Sequence, residues 1–97
     1  MTNRKTWSQL RAELGVDEEH PAYKEARIAY EIGAEVRALR EQRGWSQTEL
    51  AKRAGMTQSA MARFEAGGTT PTLPVLERIA EALEMRLSIA LTPACSA

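Results

Sequence analysis

In the segment SQTELAKRAGMTQSAMARFEAGG, residues 46–68, three hydrogen-bonding side chains, Gln58, Ser59 and Arg63, stand close together. Wound as a helix, the segment turns Ala60, Met61 and Phe64 to one side and leaves Gln58, Ser59 and Arg63 on the other. A glutamine amide and an arginine guanidinium each carry two hydrogen-bonding groups in one plane. Glutamine can therefore pair with an adenine edge, and arginine with a guanine edge, through two bonds at once. Around them stand Arg37, Arg40, Arg43, Lys52 and Arg53. These could form an ordinary solvated face, but their grouping beside two short helices favours contact with phosphates.

The elements that must position these residues follow from caps and periodicity. Ser46 and Glu49 have capping-box spacing and open one short helix with Leu50, Ala51 and Ala54 inward; Gly55 ends it. Thr57 is an N-cap candidate for the next helix, so only Gly55 and Met56 join the two. A tight turn with a glycine free to take positive φ, and a small residue at Ala51 where the helices approach, is the helix-turn-helix spacing. Upstream, Pro21 suits the first turn of a helix over about residues 22–42, with Ile28, Ile32, Val36 and Leu39 as its expected buried stripe and Gly44 as its stop. Thr6 and Gln9 mark a further, N-terminal helix carrying Trp7, Leu10 and Leu14, joined by the acidic connector VDEEHP. Downstream, Thr72 or Leu73 begins a last helix with Leu76, Ile79, Ala80 and Leu83 inward. In MRLSIAL the period then falls to two, and Leu87, Ile89 and Leu91 read as a short strand that would pair with its own copy across a two-fold axis.

The chain of 97 residues has one domain's length and a small core, which a second copy would help stabilise. Its formal net charge is zero, yet residues 36–65 hold six basic and three acidic groups, between two mildly acidic flanks. The single cysteine, Cys95, excludes an intrachain disulfide and is expected to be inert. With no long apolar run near the start or elsewhere, a cytoplasmic protein without a membrane span is expected. His20 lacks neighbouring ligands, so no metal site is expected, and no cofactor loop or nucleophile–base pair suggests an enzyme.

From Ile32 to about Leu83, the pattern LREQRGWSQTELAKRAGMTQSAMARFEAGGTTPTLPVLERIAEAL resembles the Xre, Cro and phage-repressor type of helix-turn-helix. The resemblance implies an all-α, five-helix-type domain at residues 22–85, with a helical extension at 1–21 and a strand and tail at 86–97. It also implies that Thr57, Gln58, Ser59 and Arg63 enter the major groove, while Gln47, Lys52, Arg53 and Arg43 contact the DNA backbone. Arg40 and Glu65 match a structural ion pair of that family. The flanking segments further resemble HigA-type antitoxins, which implies a homodimer on a palindromic operator that also neutralises a RelE/HigB-like ribonuclease toxin.

Three functions stay open at this level: an antitoxin that represses its own operon, a plain transcriptional repressor, and an interaction module that has lost DNA binding. The intact polar positions on the second short helix disfavour the third. Trp7, Leu10 and Leu14 either pack on Ile28 and Ile32 or form the surface that meets a toxin.

Overall fold

The computed structural model describes residues 20–93 together with Gln9. Four α-helices occupy them: α1 (Pro21–Gln42), α2 (Gln47–Arg53), α3 (Gln58–Glu65) and α4 (Leu73–Ala82). The expected N-terminal helix with Trp7, Leu10 and Leu14 lies outside the described residues, as does Cys95. No helix among those described is long and apolar enough to cross a membrane.

Helices as short as α2 and α3 do not persist in water alone, so their ends must be satisfied and one face buried. Each of the four starts with a side-chain cap. Ser46 Oγ accepts from Glu49 N at 3.0 Å, Thr57 Oγ1 from Ala60 N at 3.1 Å, and Thr72 Oγ1 from Val75 N at 3.4 Å. His20 does the same for α1, its Nδ1 accepting from Ala22 N at 3.0 Å. The connector histidine therefore has a structural task that its sequence surroundings do not suggest, because imidazole is an uncommon cap.

All four helices also end alike. After α2, Met56 N donates to Ala51 O and Gly55 N to Lys52 O, the paired bonds of a Schellman motif. The same pair recurs after α1 through Trp45 and Gly44, after α3 through Gly68 and Gly67, and after α4 through Met85 and Glu84. The left-handed residue is Gly44, Gly55 or Gly67 in three cases and Glu84, at φ 58°, in the fourth.

The core gathers Val36, Leu50, Ala51, Ala54, Met61, Phe64, Ile79 and Leu83, with α2 packed against both α3 and α4. The inward positions expected on α2, namely Leu50, Ala51 and Ala54, are all buried, as are Met61 and Phe64 on α3. The stripe expected on α1 holds at Val36, Ile32 and Leu39 and is corrected at Ile28. Ile28 is 55% exposed, whereas Ala29, Gly33, Val36 and Arg40 form the buried line, with Ile32 and Leu39 packed at its edge. Backbone proximity explains the rotation: a Cβ built on Gly33 would lie 2.5 Å from Phe64 O and 2.6 Å from Glu65 O. Small residues on α1 let the end of α3 approach at a distance that large apolar residues forbid.

The expected C-terminal strand is also corrected for the chain alone. No strand occurs among the described residues; Leu87 is half-buried, Ile89 is 63% exposed and Leu91 is 99% exposed. A strand requires a neighbour to satisfy its backbone groups, and residues 86–93 have no strand beside them within the described chain.

The close approach at Gly33 gives a signed prediction. At an ordinary helix interior, Gly→Ala gains about 1 kcal/mol of helix propensity. Here the added methyl meets two carbonyl oxygens of the backbone, which cannot swing aside as a side chain can. Overpacking of this kind costs roughly 1–3 kcal/mol or more. Gly33→Ala should therefore lower the thermal midpoint, by several degrees for a domain of this size, in a circular dichroism melt; an unchanged or raised midpoint would show that α1 and α3 are not so tightly apposed.

Candidate nucleic-acid interface

The polar face begins inside the protein. Glu65, the last residue of α3, is 1% exposed, and Arg40 of α1 reaches it with two bonds: Nε to Oε2 at 2.8 Å and Nη2 to Oε1 at 3.1 Å. Arg40 Nη1 also donates to Trp45 O at 2.7 Å, tying the pair to the turn before α2. The expected structural ion pair is thus formed in bidentate geometry, the strong form of an arginine–carboxylate contact.

From Glu65 the hydrogen bonds run outward. Gln47, first residue of α2, donates from Nε2 to Glu65 Oε1 at 3.1 Å, and its own Oε1 accepts from Gln58 Nε2 at 2.9 Å. Gln58 is exposed and Gln47 half-buried. A continuous polar line therefore joins the core ion pair to the first residue of α3.

Residues Gln58, Ser59 and Arg63 are all exposed on α3; Ser59 and Arg63 face away from the buried Met61 and Phe64, and Gln58 stands two turns from the buried Glu65 along one edge of the helix. Arg63 borders a depression shared with Met56, Thr69, Thr70 and Pro71. Thr57 sits at the same edge, but its hydroxyl oxygen is engaged as the α3 cap. Lys52 is exposed at the end of α2. Arg53 pairs with Glu49 at 2.7 Å, both side chains substantially exposed, and its guanidinium lies 4.1 Å from the centre of the Trp45 ring. Arg43, expected among the backbone contacts, is instead turned inward: Nη1 donates to Leu39 O at 3.2 Å and Nη2 makes a short bond to Leu83 O, the C-cap of α4.

Sequence reading passed over Trp45. Its position one residue beyond Gly44 is where a Schellman motif commonly sets an apolar contact, and that was the available signal. The ring packs against the core while carrying Arg53 on its face.

Two short helices joined through a glycine turn, with a polar outer face on the second, define a helix-turn-helix. A family model described as a helix-turn-helix domain matches residues 31–88, and the chain belongs to that family. Antitoxin HipB of Escherichia coli K12 is 33% identical over 54 residues, which span 56% of this chain and 61% of HipB. The HTH-type transcriptional regulator SutR of the same organism is 31% identical over 70 residues, 72% of this chain but 39% of SutR. Against these relatives the chain thus spans less than two thirds of their length. Among solved structures, a chain of the HipA-HipB-O2-O3 complex is similar with a TM-score of 0.58 and 29% identity, covering 67% of this chain and 92% of that one. By class, then, this is a helix-turn-helix domain similar to HipB antitoxins and to HTH-type transcriptional regulators. The named antitoxin relatives are HipB, where the flanks alone suggested the HigA type.

Proposed function

We propose that this protein is a sequence-specific operator-binding repressor of the antitoxin type, acting as a symmetric homodimer. The observation that carries the reading is the open α3 face, where Gln58, Ser59 and Arg63 project together while the rest of the helix is locked into the core. In this reading residues 22–85 are the DNA-binding unit, 1–21 an extension and 86–97 the tail through which two copies join. Gln58, Ser59 and Arg63 read bases, with Thr57 at the groove edge; Gln47, Lys52 and Arg53 hold the backbone. Arg43 remains a candidate for the same role with two of its five N–H groups already given to Leu39 O and Leu83 O.

Base and phosphate contacts separate in a binding experiment. Arg63→Ala should cost about 1–3 kcal/mol on the selected operator and relax preference at one base pair, while Lys52→Ala should weaken all sequences alike and reduce the salt slope by about 1. Titrations at several salt concentrations check both; an Arg63→Ala protein with unaltered affinity and base preference would remove α3 from the groove.

The dimer is supported by the unpaired C-terminal segment. Leu87, Ile89 and Leu91 alternate, and Leu87 and Ile89 border a groove of about 390 Å³ shared with Ile32 and Val36 of α1 and Leu76 and Ile79 of α4. Pairing of two such segments supplies each with the missing neighbour and forms the strand that a lone chain lacks. Two α3 helices then face half-sites about 34 Å apart on a palindromic operator. Deleting residues 86–97 should convert the protein to a monomer or a much weaker dimer in light scattering; a tight dimer from the shortened chain would move the interface to α1 or α4.

The antitoxin role rests on the HipB relatives and on the apolar Trp7, Leu10 and Leu14 in the extension. The same relatives favour a HipA-like partner over the RelE/HigB-like toxin that the flanks suggested, because HipA accompanies HipB in the solved complex. Removing residues 1–20 should leave operator binding intact and abolish growth rescue in cells expressing the toxin encoded beside this protein. Full rescue by the truncated chain would assign neutralisation to the helical body. A chain with no toxic partner in that assay would be a plain repressor of the SutR kind.

A further inference from the structure

We infer that the apolar strip of α1 at Ile28 and Ile32 is the seat of this chain's own N-terminal extension, whose Trp7, Leu10 and Leu14 cover it until a partner competes for them.

The strip is out of keeping with the rest of α1. Ile28 is 55% exposed, and Ile32, one turn further on, is only half-buried at the edge of the core. Four residues apart, the two lie on one face of the helix. That face continues into the groove between α1 and α4, which Ile32 lines, so an apolar occupant over Ile28 would extend the existing core. One turn before Ile28 stands Lys24, exposed and without an ion pair among the described residues. The apolar track thus begins beside an unpaired cation.

Residues 1–19 match that pattern in type, order and reach. Trp7, Leu10 and Leu14 make one stripe at helical spacing, and Gln9, on the opposite side of the same wheel, is helical and exposed. The acids Asp17, Glu18 and Glu19 follow, next to the junction with α1. That junction is fixed, because His20 caps α1 through Nδ1 and its backbone there is extended, with ψ 134°. From His20 to Ile28 is about 12 Å along the helix axis. Residues 15–20 span up to about 20 Å, enough for the stripe to return antiparallel over Ile28 and Ile32 while the acids pass Lys24.

Tethering decides between this occupant and a second copy. On so short a connector the stripe meets the strip at a roughly millimolar effective concentration, whereas a second copy arrives only at its concentration in solution. An extension seated in this way is not open to a toxin. A partner that takes Trp7, Leu10 and Leu14 must uncover Ile28, and its apparent affinity falls by the fraction of molecules whose extension is undocked. That consequence rests on the antitoxin reading above; the docking itself does not.

Fluorine NMR of the full chain carrying 5-fluorotryptophan tests the docking. Trp7 and Trp45 give one resonance each, assigned with Trp7→Phe. The Trp7 resonance should lie away from that of a synthetic peptide of residues 1–19, and Ile28→Asn should bring it to the peptide position. Trp45, packed at the edge of the core, should stay in place and report an intact fold. A wild-type Trp7 resonance that coincides with the peptide's, or that ignores Ile28→Asn, overturns the docking. So does a Trp7 shift that fades on dilution, which would put the extension on a second copy. Should Ile28→Asn disturb Trp45 as well, the exposed Lys24→Glu takes its place and should move Trp7 toward the peptide position at low salt; an unmoved Trp7 in that variant overturns the docking. Against the toxin encoded beside this protein, Ile28→Asn should bind more tightly than wild type, and weaker binding would make Ile28 part of the toxin surface and overturn the competition. A wild-type protein that binds no toxin fails the antitoxin reading instead, and the fluorine shifts then decide the docking alone.

Discussion

A carboxylate removed from water must be paired, and at Glu65 that requirement organises the molecule. The residue is 1% exposed and bonded through both oxygens to Arg40, which in turn holds the Trp45 carbonyl. Three pieces of chain meet there: the last third of α1, the turn into α2 and the end of α3. Replacing such a pair with well-fitted apolar groups can be neutral for stability, but removing one partner strands a buried charge at a cost of about 3–5 kcal/mol. Set against the roughly 5–15 kcal/mol that hold a small domain together, that penalty ties the angle between α1 and α3 to the survival of the fold.

The pair can form only because the backbones come close. Gly33 admits the carbonyls of Phe64 and Glu65, and Gly67, at φ 79°, admits the Cα of Tyr30, where a Cβ would lie 2.8 Å away. Capped starts and Schellman ends then stop the short helices from fraying, so the positions of α2 and α3 pass to their side chains with little play. The open face of α3 is consequently aimed by contacts on its opposite side.

Much of this was legible in the residues. Serine or threonine before an apolar stripe located the starts of α2, α3 and α4 closely, and glycine the ends of α2 and α3, because caps are local and their chemistry is carried by the residue itself. The face of α1 was legible in part: Val36 is buried and Ile32 and Leu39 pack against the core as their spacing suggests. Ile28 looks like core by hydropathy and is exposed, while Ala29 and Gly33 are buried, and closeness of approach leaves no hydrophobic signal. The strand at Leu87, Ile89 and Leu91 has a clear period in the sequence and no counterpart in the single chain, since pairing depends on a neighbour that periodicity cannot supply. Likewise, the list of cations named Arg43 but could not tell that a carbonyl at the end of α4 would claim it.

That division among the cations bears on what the surface can offer a polyanion. Arg40 is bound to groups inside the fold and cannot leave without stranding a buried carboxylate, and Arg43 gives two of its N–H groups to the carbonyls of Leu39 and Leu83. Arg53 is different, because its partner Glu49 is an exposed neighbour one turn earlier on the same helix. An exposed pair of this kind is worth only about 0.2–1 kcal/mol, so a phosphate arriving at the end of α2 can take Glu49's place at little cost. Trp45 meanwhile keeps the guanidinium stacked on its ring, so less side-chain freedom is lost when the phosphate binds. Lys52 beside it and Arg63 on α3 add two exposed cations on the helices of the motif, and Arg37 on α1 forms an exchangeable pair of the same kind with the exposed Glu41, while Arg40 anchors the frame.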